Sequence, residues 1–354
     1  MKRLRLVRRN NESWLVKVAV PILSILLAIL VGWIFLVLSG YDAAETYRRM
    51  IQGAFGSPYA ISETIVKAIP LALTGLAVSV AFRMKLWNIG AEGQLYMGAF
   101  AAAGVVLLLG GDLPSWLLLS IMLVAGFAAG AVWSLIPGTL RALWTVNETI
   151  TTLLLNYVAI SWVSYLVFGP WKDPNAMGFP LAPRFPQAAY LPVIPGSRVH
   201  IGILVAVAVA VLLYIVMKYT RWGYEVRVTG ESPEAARYAG MNVVRNILLV
   251  MLVSGGIAGM TGMIEVSGIT HRLQQDISAS YGYTGIIIAW LARLNPFTVL
   301  LVAFLFGALL VGGFGVQTYG IPYAIVLMLQ GAVLFFLLAG DIMLKYRLTI
   351  TRED

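Results

Sequence analysis

Long apolar runs separated by short polar breaks set the pattern of this chain. A helix needs roughly 20 mainly apolar residues to cross a hydrocarbon core. Runs near that length lie at Val18–Leu38, Ile61–Phe82, Ile89–Leu109, Trp116–Leu140 and Ile150–Phe168. Five more follow at His200–Met217, Ile247–Val266, Tyr281–Leu291, Phe297–Phe314 and Pro322–Leu338. The run at Tyr281–Leu291 is too short for a full crossing and reads as re-entrant or tilted. The pattern predicts an all-α, polytopic membrane protein of about ten transmembrane helices, one domain over residues 1–354.

Composition agrees: 60% of residues are hydrophobic, 12% are charged, and mean hydropathy is +0.85. Those values exclude a water-soluble fold. Cysteine is absent and the two histidines, His200 and His271, are far apart, so disulfides, a metal centre and a thiolate cofactor site are not expected. The basic start, Met1–Arg9, resembles a signal peptide. The apolar run behind it is too long and lacks a small-residue cleavage site, so it reads as an uncleaved first span.

Charge orients the spans, because Lys and Arg are retained on the cytoplasmic side. With the N-terminus inside and ten alternating spans, 18 of the 25 basic residues fall inside. The seven outside are Arg48, Arg49, Lys67, Lys172, Arg184, Arg198 and Arg272. Both termini are therefore expected in the cytoplasm of a bacterial cell, under its inner membrane. Topology and anionic lipid account for the net charge of +9 without nucleic acid, since the basic residues are dispersed over short loops.

Two loops stand out. The cytoplasmic one, about residues 218–246, contains Glu231-Ser232-Pro233-Glu234-Ala235-Ala236-Arg237-Tyr238-Ala239-Gly240. Ser232 can cap a helix, Pro233 suits its first position, Glu234 favours its positive end, and Gly240 suits a left-handed stop. The external one, about residues 169–197, holds seven prolines from Pro170 to Pro195. It reads as stiff and irregular, either docking an external partner or capping the outer mouth.

Polar residues inside the spans are candidate route-lining groups, because the bilayer rejects them elsewhere. Asn88, Glu92 and Gln94 enter the third span together, with Asn88 and Glu92 one helical step apart on one face. They read either as translocation-pathway groups or as helix-end groups satisfying backbone amides. Asn147 reads as a helix cap; Asn156, deeper in the fifth span, bridges helices or meets solute. Glu265 and Asn295 read as structural, and Gly255, Gly256, Gly259 and Gly262 as a small-residue packing face.

The stretch EAARYAG resembles the EAA-and-Gly pattern of permease subunits of bacterial ABC importers. The segment at Ala68–Gly98, which includes WNIGAEGQ, resembles the branch that imports nucleosides and simple sugars, the branched-chain amino acid and ribose type. The likeness continues through TVNETITTLLLNYVA (Thr145–Ala159) and YGYTGIIIAWLARLNP (Tyr281–Pro296). The Ile-x-Leu-Pro ending common in other importer permeases is absent, Asn246-Ile247-Leu248-Leu249 standing there instead.

This resemblance implies an inverted repeat of helices 2–5 and 7–10, a second related permease chain, ABC ATPase subunits inside and an extracytoplasmic substrate-binding lipoprotein. No Gly-rich Lys-Ser/Thr phosphate loop occurs, so ATP hydrolysis is expected on a partner and this chain is not expected to be an enzyme. Force would enter through the 232–240 helix. Ala235, Ala236 and Ala239 would offer a close-packing face, with Glu234 and Arg237 on its rim and Glu231, Ser232 and Gly240 shaping its ends. Neutral nucleosides or sugars suit a route rich in amides and poor in fixed charge. The alternative is an ion-coupled secondary transporter of a small polar solute using Glu92. A membrane transferase would need paired carboxylates or a metal site, and the sequence offers neither.

Overall fold

In a computed structural model, the structure describes residues 2–8, 14–110 and 113–352. In chain order they form β1 (Lys2–Arg8), α1 (Trp14–Leu38), α2 (Ala43–Phe55), α3 (Pro58–Arg83), α4 (Ala91–Leu109), α5 (Ser115–Trp144) and α6 (Glu148–Phe168). Then come α7 (Gly202–Tyr219), α8 (Arg221–Glu231), α9 (Pro233–Tyr238), α10 (Val243–Glu265), α11 (Tyr281–Leu291), α12 (Pro296–Gln317), α13 (Ala324–Lys345) and β2 (Tyr346–Arg352).

Every predicted apolar run lies on a helix. Among the described residues, 7 helices are long and apolar enough to cross a membrane: α3, α4, α5, α6, α7, α10 with the π-turn that extends it, and α12. Shorter apolar stretches are Ile22–Leu38 in α1, α11, and Ala324–Gly340 in α13. The chain is a polytopic, all-α membrane protein. To this the termini add one pairing that the apolar pattern did not announce. Strands β1 and β2 run antiparallel, with Lys2 opposite Arg352 and Arg8 opposite Tyr346. Of the basic N-terminal run, Met1 and Arg9 lie outside the described residues.

The chain divides into two compact units, residues 1–60 with 309–354 and residues 61–308. In the first, α1 lies against α13, and Leu36, Ala43, Met50, Val316, Ile321, Ile325 and Leu329 form a buried apolar cluster. The short amphipathic α2 is capped by Asp42, whose side chain accepts from the Glu45 amide at 3.0 Å. Glu45 binds Arg48 and Arg49, and the two guanidinium groups hold its carboxyl down at about 2. Arg49 also lies 3.6 Å from the centre of the Tyr319 ring.

The second unit is built around α4, α5 and α10, whose backbones nearly touch. A Cβ on Gly98 would fall 2.0 Å from the Gly259 carbonyl oxygen, and one on Gly262 would fall 1.9 Å from that of Leu95. Gly130 and Gly255 meet in the same way between α5 and α10. The glycine face expected on α10 is thus a packing seam, consistent with lipid-embedded helices that associate through small residues.

The proline-rich loop after α6 carries a single short 3-10 turn, Gln187–Ala189. It is held along the segment after α10 by backbone bonds from Ala182 to Leu273, Phe185 to His271 and Leu191 to Ser267. The Tyr190 and His271 rings stack at 3.7 Å. His200 is buried where the loop re-enters α7, its Nδ1 accepting from the Gly202 amide at 3.2 Å. Burial pushes its pKa from 6.5 down to about 4.

Gly262→Ala should destabilise the protein by about 1–3 kcal/mol, because the added methyl meets backbone that cannot yield. Gly331→Ala, where a Cβ meets nothing within 4 Å, should be neutral. Thermal unfolding of the purified variants in detergent checks the pair. His200 yields a pH prediction. Its folded pKa lies below its unfolded one, so the unfolded state binds more protons between them and stability falls as pH drops from about 6.5 through about 4. Exchange of the Phe185 and Leu191 amides, corrected for intrinsic rate, should accelerate over that window and be unaffected between pH 7 and 8.

Candidate functional site

The loop between α7 and α10 folds as two helices meeting at Ser232. Its hydroxyl accepts from the Ala235 amide at 3.2 Å and donates to Glu234 Oε2 at 3.3 Å, while Pro233 opens α9. At the other end, Gly240 takes φ +76° and its amide bonds the Arg237 carbonyl at 2.9 Å, the left-handed stop anticipated from sequence. The outward surface is different from the one expected. Ala236 is 0% exposed and faces this chain, whereas Glu231, Glu234, Ala235, Arg237, Ala239 and Gly240 are open. Ala236 is therefore removed from the accessible face. Tyr238, 95% exposed beside it, was missed because an aromatic between Arg and Ala carries no pattern of its own.

Helix α8 seats this pair on the membrane core. Gly223, Val226 and Gly230 form its buried face, spaced as one helical stripe. A Cβ on Gly230 would lie 2.5 Å from the Arg83 carbonyl oxygen and 2.9 Å from Met84 Cα. Here α3 ends and the connection 84–90 begins. The Arg83 guanidinium donates to the Leu294 carbonyl at 2.6 Å beyond α11, and Arg227 donates to the Met217 carbonyl. Asn246 at the start of α10 donates to Glu225 at 3.1 Å.

From Met84 the chain turns back and re-enters the protein as the non-helical connection 84–90. Asn88 lies in this connection, before α4 begins at Ala91, so it does not share a helical face with Glu92 as the sequence spacing suggested. Its amide instead forms a closed pair with Gln94, at 3.1 and 3.0 Å, and donates to Ser254 at 2.9 Å. Ser254 passes the bond on to the Ala77 carbonyl at 2.7 Å. Asn156 reaches the same segment from α6, accepting from the Gly93 amide at 2.8 Å and donating to the Ile89 carbonyl at 2.9 Å and the Tyr283 hydroxyl at 3.1 Å. Glu148 accepts from the Trp87 amide at 3.3 Å and lies 3.3 Å from Arg141. Asn147 caps α6 as expected, accepting from Thr149 and Ile150.

Glu92 faces elsewhere. It accepts from the Gly282 amide at 2.7 Å and bonds Ser278. Thr74 donates to the neighbouring Tyr281 carbonyl at 3.0 Å, which places the start of α11 about 13 Å of helical rise from the Arg83 end of α3. With 11 residues, α11 then covers only about 16 Å, half a crossing. The non-helical backbone before it is tolerated because protein surrounds it.

Asn88, Gln94 and Asn156 thus meet as one buried knot with protein partners, and Glu92 is engaged beside it by α11. The residues that complete the knot, Ser254, Ser278 and Tyr283, were missed. Nothing in the local sequence marks a partner well over a hundred positions away. Among the described residues no cluster of three or more His, Cys, Asp or Glu could hold a metal.

A family model described as branched-chain amino acid transport system / permease component matches residues 60–338. The chain is 40% identical to the glucose ABC transporter permease protein TsgB13 of Haloferax volcanii, covering 97% of this chain and 92% of that one. It is 34% identical to the guanosine ABC transporter permease protein NupP of Bacillus subtilis, over 90% and 92%. It is 30% identical to the nucleoside ABC transporter permease protein NupB of Lactococcus lactis, over 93% and 92%. Ten apolar helical segments, a glycine-packed core with no metal cluster among its described residues, and these matches lead to one statement: the chain belongs to this permease family and is a membrane-spanning subunit of an ABC importer.

Proposed function

We propose that this chain carries a neutral, polyhydroxylated solute, a nucleoside or simple sugar, across the cytoplasmic membrane with both termini inside. It works with a second permease chain, ATPase subunits and an external substrate-binding lipoprotein. The relatives named for glucose, guanosine and nucleosides support the solute class. The bias of basic residues towards one set of loops supports the orientation.

The observation that carries the mechanism is Gly230 resting on the Arg83–Met84 backbone. An ATPase gripping the exposed side of α9 through Glu234, Ala235, Arg237, Tyr238 and Ala239 pushes on α8. With no side chain between them, α8 transmits that push to connection 84–90. The connection leads into the Asn88–Gln94–Asn156 knot and, two residues past its end, to Glu92, which accepts from the Gly282 amide of α11. In this reading these four residues lock the inner half of the route and are not solute ligands. A chemical change on the ATPase becomes a change in how α11 sits against α4.

Two variants test this in proteoliposomes containing the whole importer. Glu234→Lys with Tyr238→Glu should lower solute-stimulated ATPase activity about tenfold or more, the scale of a lost interface anchor, with membrane insertion unchanged. Unaltered stimulation would remove α9 as the contact. Gly230→Val should leave ATPase subunits bound on co-purification while uptake falls about tenfold or more, since the inserted side chain separates α8 from Met84. Normal uptake in that variant would show that force travels elsewhere.

A further inference from the structure

One face of α3 is polar along the outer half of a helix otherwise buried in apolar surroundings. Glu63, Lys67 and Thr74 are four and seven residues apart, which aligns them on one side. Lys67, counted by charge among the outside basic residues, lies within α3 itself. Each member of this face has a defined neighbour. The Arg198 guanidinium is 2.8 Å from Glu63 Oε1, an ion pair without hydrogen-bond alignment. Lys67 Nζ lies 3.1 Å from the Tyr281 hydroxyl, and Thr74 bonds the Tyr281 carbonyl.

Glu265, the last residue of α10, has Lys67 as its charged neighbour. It is 2% exposed, and its Oε2 atom is buried without a hydrogen-bond partner. A buried acceptor left unpaired is costly, so native proteins rarely keep one without a use. Immediately beyond it α10 widens into a π-turn over Val266–Thr270, a distortion that recurs at functional positions in helices. Asn88, Glu92, Gln94 and Asn156, by contrast, each have protein partners.

We propose that Glu265, with Lys67 beside it, is the solute contact of the outer half of the route. Oε2 of Glu265 accepts a hydrogen bond from one of two adjacent hydroxyls on a sugar or ribose ring. Lys67 has three donors, one of which reaches the Tyr281 hydroxyl, so it can donate to the second hydroxyl oxygen. Tyr281 is a positioning residue, holding the amine in place through its hydroxyl. This assignment rests on the solute class proposed above.

The test uses the complete importer in proteoliposomes with its lipoprotein, and two probe pairs: guanosine against 2′-deoxyguanosine, and glucose against 2-deoxyglucose. The lipoprotein's own preference, measured on the isolated protein, is divided out. For whichever pair the wild type transports, the permease step should favour the hydroxylated member, and Glu265→Gln should reduce that preference about tenfold. Glu265→Asp should restore part of it. An unaltered preference in Glu265→Gln, or an equal fall in uptake of both probes, overturns the assignment. Should Glu265→Gln assemble poorly, Lys67→Met carries the same comparison. Wild-type uptake of none of the four probes would instead remove the solute class itself, and the assignment with it.

Discussion

The approach of α4, α5 and α10 to backbone contact is the constraint on which the rest depends. In lipid, apolar side chains gain little by leaving a medium as apolar as themselves, so helices hold together through close van der Waals packing and shared polar groups. Gly98, Gly130, Gly255, Gly259 and Gly262 permit that packing, each meeting backbone at distances that exclude a methyl. Because α10 sits so close, Ser254 falls within reach of Asn88, and the seam fixes where the connection before α4 can lie.

That connection is also the surface on which α8 rests through Gly230. A continuous helix from α3 to α4 would carry no exposed backbone for α8 to rest on. The break at Met84 supplies it, and backbone groups freed by the break are taken up by the α6 side chains Glu148, Thr152 and Asn156, while Ser254 on α10 holds the Asn88 side chain. Leaving such groups unpaired at membrane depth would cost several kcal/mol each, on the order expected for polar groups in hydrocarbon. The polar residues around this connection are therefore structural necessities of a re-entrant path.

How much of this was legible in sequence divides along physical lines. Whatever depends on local periodicity could be read: the spans, the Ser232 and Asn147 caps, the Gly240 stop, the glycine face of α10 and the shortness of α11. Whatever depends on tertiary placement could not. Ala236 looked equivalent to Ala235 and Ala239, yet it alone turns inward. Asn88 looked one turn from Glu92, but Gly90 starts α4 only after it. Asn156 was rightly read as a candidate bridge between helices, but its partners Gly93, Ile89 and Tyr283 needed three dimensions to name.

The external loop has a consequence of its own. Leu191 bonds the carbonyl of Ser267 within the π-turn, and Phe185 and Ala182 bond those of His271 and Leu273 just beyond it. The loop and the widened helix end are thus indexed to one another, residue by residue, along a ladder. Insertion of a single residue between Ala182 and Leu191 would slip that index, and relaxing the turn back to regular α geometry would swing everything after Glu265 by about a quarter of a revolution. A surface connection rich in proline usually drifts freely in length among relatives; this one is length-locked, a ruler laid against the helix it accompanies.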